Sequence, residues 1–173
     1  MKYLKHYVIA MFLFVSCAAH AQFLPDNTSL NVESVKRWMN SNRDFANVVQ
    51  VLEPMNKTEE DLKKFEALPA AEQDAKITAF LQKNNLLNTV QPIVSRHGWK
   101  SVGEYMRLST RLGNAIAAYF FEEKMAHLSE DQKKALRAKT DSAVLNAPAG
   151  DIAFVKANET LLKSYMQAYA QGR

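Results

Sequence analysis

The chain has 173 residues, nearly half of them apolar, a formal net charge of +4 and one cysteine. This length and composition suit one domain with its own core, and a single cysteine excludes a disulfide scaffold. So mild a charge does not argue for nucleic acid, and no nucleic-acid partner is expected.

The first 21 residues read as a secretory signal peptide. Lys2 and Lys5 precede the apolar run from Tyr7 to Val15, and Ala19-His20-Ala21 offers a small-x-small cleavage site. The mature protein is therefore expected to begin at Gln22, in the periplasm of a Gram-negative cell or in its medium. Leu13-Phe14-Val15-Ser16-Cys17 also resembles a lipoprotein box, so a lipid anchor on Cys17 is the alternative. Both signal lysines count towards the +4, and residues 1–21 hold no acid, which leaves the mature chain near about +2. No second apolar run approaches the roughly 20 residues of a transmembrane span.

The remainder is expected to be a single all-α domain, 22–173, folded as a helical bundle of five to seven helices. A first helix, from about Asn31 to Glu53, places Val32, Val35, Met39, Phe45, Val49 and Leu52 on one side, with Asn40-Ser41-Asn42 as an interruption and Pro54 as its stop. Thr58 caps a short element that ends by Pro69. The next helix covers about Ala71 to Lys83 and buries Ile77, Phe80 and Leu81. Leu86 to His97 forms another, which either accommodates Pro92 or begins there, and Gly98 is its left-handed stop.

Ser101-Val102-Gly103-Glu104 is a capping box that opens the principal helix, to about His127. Glu104, Arg107, Arg111, Asn114, Ala118 and Glu122 form a narrow polar-to-small stripe on it, and large apolar side chains fill most of the remaining circumference. Ser129-Glu130-Asp131-Gln132 is a second capping box. Its helix, to about Asn146, has a weak apolar side and is expected to be peripheral. After the break Ala147-Pro148-Ala149-Gly150, a last helix presents Ile152, Val155, Leu162, Tyr165, Met166 and Tyr169.

Chemistry-bearing motifs are sparse. His97 and His127 each end a helix, where a cation faces unpaired carbonyls, and Glu123 with His127 supplies two ligands where a metal site needs three or four. Neither a metal nor a cofactor is expected, haem between a histidine and Met39, Met106 or Met166 included. The chain lacks Gly-x-Ser-x-Gly, Ser-x-x-Lys and His-Glu-x-x-His, so no catalytic residue is assigned. The densest unusual composition is Arg96-His97-Gly98-Trp99-Lys100, continued by Arg107 and Arg111. Arg96, Trp99, Lys100, Arg107 and Arg111 are the candidate partner-binding residues, because cations around an aromatic ring grip anionic or aromatic groups. The alternative is that Trp99 staples the corner to the core while the cations solvate it.

Leu128-Ser129-Glu130-Asp131-Gln132, followed by Lys133-Lys134, resembles the Leu-Thr-x-x-Gln motif of small helical periplasmic stress chaperones related to Spy, with Ser for Thr and in a single copy. Residues 34–124 also resemble uncharacterised secreted helical proteins of Gram-negative bacteria, with a Gly-aromatic corner before a long aromatic-rich helix. The resemblances imply an exported helical protein. A protein-binding module (chaperone, adaptor or modulator) is the function expected, and a carrier or sensor of a small apolar ligand is the alternative.

Overall fold

The computed structural model describes residues 30–56 and 58–171. The expected signal peptide, residues 1–21 with Cys17, lies outside the described residues. Within them the chain is all-α: nine α-helices and one 3-10 turn, Glu53–Met55, with no strand. The helices are α1 Val32–Leu52, α2 Glu59–Glu66, α3 Ala70–Lys83, α4 Leu87–Arg96, α5 Val102–Met125, α6 Glu130–Ala138, α7 Ser142–Leu145, α8 Ala149–Ala157 and α9 Glu159–Ala170. None of them is long and apolar enough to cross a membrane. The chain packs as two compact units, and the boundary between Ser109 and Thr110 falls inside α5.

In the first unit α1 is opened by a capping box: Ser34 N–H donates to Asn31 Oδ1 at 2.8 Å, and Asn31 N–H to Ser34 Oγ at 3.4 Å. Its buried face differs from the expected one. Val35, Trp38, Ser41, Phe45, Val48 and Leu52 are buried, whereas Val32 is 41% exposed and Met39 and Val49 are half-buried. Steps of three and four residues from Val35 keep Trp38, Ser41 and Val48 on one stripe, and that stripe passes through the polar interruption without a break.

Thr58 caps α2, accepting from Asp61 N–H at 3.0 Å. On α3, Ile77 and Leu81 are buried, and so is Gln73, whose amide donates to the Glu66 and Leu68 carbonyls and ties the α2–α3 turn. Pro92 lies inside α4. The expected stop at Gly98 is present, with φ +67°. Gly98 N–H donates to the Ser95 carbonyl at 3.1 Å and Trp99 N–H to the Val94 carbonyl at 3.0 Å, the two bonds of a Schellman motif. The same pair closes α3, from Asn85 (φ +58°) to Gln82 and from Leu86 to Leu81.

In the second unit α5 continues through Leu112, Ala115, Ile116 and Tyr119, all buried. The expected helix from Ser129 to Asn146 is two helices, because Asp141 accepts from Ala143 N–H at 2.7 Å and starts α7 afresh. The last helix is likewise broken, at Asn158. Its side chain donates to the Phe154 carbonyl, closing α8.

Candidate functional site

The corner between α4 and α5 is built around three rings. Phe45 of α1 stacks on Tyr105 of α5 with centroids 3.9 Å apart, and Trp99 stands edge-on to both, 6.3 Å from Phe45 and 5.5 Å from Tyr105. Trp99 is 5% exposed, and its indole N–H donates to Ser41 Oγ at 3.1 Å. The Ser41 hydroxyl in turn points at the Arg37 and Trp38 carbonyls. Tyr105 donates its hydroxyl to Asn42 Oδ1 at 2.6 Å. The Asn-Ser-Asn interruption of α1 is therefore the polar socket for two aromatic side chains of the corner. Satisfied hydrogen bonds let those rings be buried without the cost of an unpaired donor.

Charges surround the rings. The Arg37 guanidinium lies 4.1 Å from the centre of the Trp99 ring, donates to the Gly98 carbonyl at 2.8 Å and meets Glu104 at 3.4 Å. Glu104 departs from the expected capping box. Its N–H donates to Ser101 Oγ as foreseen, but its carboxylate accepts from the Lys100 N–H at 2.6 Å rather than reaching Ser101. His97 Nε2 is 2.7 Å from Asp44 Oδ2, and Arg96 is 3.6 Å from the same oxygen. The hydrogen bond from His97 is the main cause that holds the Asp44 carboxyl below its ordinary range; burial opposes it, and the charges of His97 and Arg96 add to it.

The five candidate residues thus fare differently. Trp99 is a buried ring, while Arg96 and Lys100 are exposed on either side of it. Arg107 is a partner of α3: Nη1 and Nη2 reach the two Asp74 oxygens at 2.9 and 3.3 Å, with 13% of its side chain exposed. Gly103 makes that approach possible, since a Cβ there would sit 1.9 Å from Asp74 Oδ1. Arg111 belongs to the second unit, where Nε and Nη2 donate to Asp151 at 2.5 and 3.0 Å. The Asp151 side chain is 3% exposed. The polar stripe of α5 is therefore not a solvated face: Asn114 and Ala118 are buried, and both arginines answer acids that lie 33 and 40 residues away.

Sequence reasoning missed Arg37, Ser41, Asn42 and Asp44. The signal for Ser41 is the stripe of α1 itself, in which a small polar residue among buried apolar ones marks the place where another element's polar group docks; Arg37, Asn42 and Asp44 lie beside that stripe and carry no such signal.

A second constellation lies within the second unit. Ile116, Phe120, Val155, Leu162 and Met166 line an apolar crevice whose edge carries Tyr119, Glu159 and Lys163. Tyr119 donates to Glu123 at 2.9 Å and lies near Glu159, and Lys163 pairs with Glu159. The hydrogen bond to Glu123, then burial, push the Tyr119 phenol up to about 12. Tyr165 and Tyr169 pack against each other with centroids 5.9 Å apart and are half-buried. Among the described residues no three His, Cys, Asp or Glu converge as metal ligands.

No family model, curated protein or solved structure matches this chain.

Proposed function

We propose that the chain is an exported, non-enzymatic helical module that binds another protein, in the manner of a chaperone, adaptor or modulator. The observation that carries this reading is the α4–α5 corner. The three-ring stack and the Arg37 bridge hold its backbone, while Arg96 and Lys100 project into solvent on either side of Trp99. A turn already fixed in shape loses little freedom on binding, and exposed cations steer an acidic partner towards it. Of the five candidates, Arg96 and Lys100 form the contact surface, and Trp99 is its rigid base. Arg107 and Arg111 serve the fold.

The carrier alternative would place an apolar molecule among the helices. The crevice beside Tyr119 has about 10 Å³ of free space, roughly one water, so a ligand there would need the helices to part. No observation favours that reading over the first.

Export is tested by N-terminal analysis of the product from cells, expected to begin at Gln22; a chain beginning at lipid-modified Cys17 would make the protein membrane-anchored. Binding is tested by a photo-crosslinker at exposed Ser95. It should trap a protein partner in the wild type and several-fold less after Arg96→Gln with Lys100→Gln, with circular dichroism unchanged. Equal trapping in both proteins would remove the corner as the site. A small bound mass in the native mass spectrum, without a trapped protein, would favour the carrier.

A further inference from the structure

We draw no further inference here: the strongest candidate, the half-buried apolar face of α9 formed by Leu161, Tyr165 and Tyr169, is an apolar helix surface, and nothing in the structure shows what covers it.

Discussion

The corner around Trp99 and helix α6 are both rich in cations and both adjoin a capping serine, Ser101 after the corner and Ser129 before the helix, yet they use their cations differently. At the corner, Arg37 bridges Trp99, Gly98 and Glu104, Arg96 and His97 share Asp44, and Arg107 takes Asp74. Around α6 only Lys133 is paired, with an acid one turn back, while Lys134, Arg137 and Lys139 face water. The difference follows from the apolar content. Phe45, Trp99 and Tyr105 bring the corner's backbone into close contact with α1, and charges trapped beside that contact must find partners. Helix α6 has no ring to bury, so its charges stay outside. Similar composition therefore ties Arg37, His97 and Arg107 into the structure at the corner and leaves only Arg96 and Lys100 exposed there, whereas around α6 most of the cations stay exposed.

The largest effect is expected outside the corner, where Arg111→Glu tests the same distinction between paired and exposed cations. It would set a second carboxylate against Asp151, whose side chain is 3% exposed, and breaking a buried pair costs about 3 kcal/mol or more. Urea unfolding should show that loss, and replacing Arg111 by Met together with Asp151 by Leu should recover most of it. Replacing exposed Lys134, Arg137 and Lys139 together by Gln should stay within about 0.5 kcal/mol of wild type. An Arg111→Glu protein as stable as the α6 variant would break the distinction between internal and outward cations.

Gly98 comes next. A Cβ there would meet no atom within 4 Å, so the cost of Gly98→Val comes from the backbone alone, at φ +67°. The expected loss is about 1 kcal/mol or more, read from thermal melts. Gly98→Asn should cost less, because Asn85 already holds φ +58° in the same motif at the end of α3.

Such local chemistry is what the sequence exposes best. A glycine before a tryptophan after an apolar stripe, a Thr three residues before Asp61 and a Ser three before Gln132 each bond within a few residues, so their geometry follows from backbone rules and the reading of Gly98, Thr58 and Ser129 agrees with the structure. Partners at long separation were not legible. Nothing near Arg107 or Arg111 in the chain points to Asp74 or Asp151, and a polar stripe bordered by large apolar residues looks the same whether it faces water or acids on other helices. The face of α1 was misread for a related reason: Ser41 looked like a break, whereas its hydroxyl is the acceptor for Trp99. The interruptions at Asp141 and Asn158 escaped because no Gly or Pro marks them; each lies in a short polar run, Thr140-Asp141-Ser142 and Asn158-Glu159-Thr160, that also suits a solvated helix turn.

A smaller effect is expected from pH. Asp44 is held below its usual value of 3.8 in the folded state, first by the hydrogen bond from His97. A depressed carboxyl contributes stability that is present above its unfolded value and is lost as pH falls through the folded one. Wild type should therefore be more stable than Asp44→Asn at pH 6, and the gap should close below about pH 4. A gap that persists unchanged at pH 3 would mean that the pair with His97 and Arg96 adds nothing at the corner.

The finest probe compares two cap deletions. Ser101 Oγ accepts from Glu104 N–H at 2.9 Å in a half-buried setting, and Ser129 Oγ accepts from Gln132 N–H at 3.4 Å in an exposed one. Alanine at either position removes one bond to a free amide of the first turn, worth about 1 kcal/mol to its helix. The readouts should differ, because Ser101 opens a helix whose next turn holds Val102 and Tyr105 in the core, whereas Ser129 opens one without a buried residue. Ser101→Ala should lower the global melting temperature by a few degrees. Ser129→Ala should leave it nearly unchanged and instead speed hydrogen exchange at the amides of residues 133–138, since α6 can fray while the rest stays folded. Equal shifts in global melting would show that α6 is bound into the cooperative core after all, and would remove its contrast with the corner.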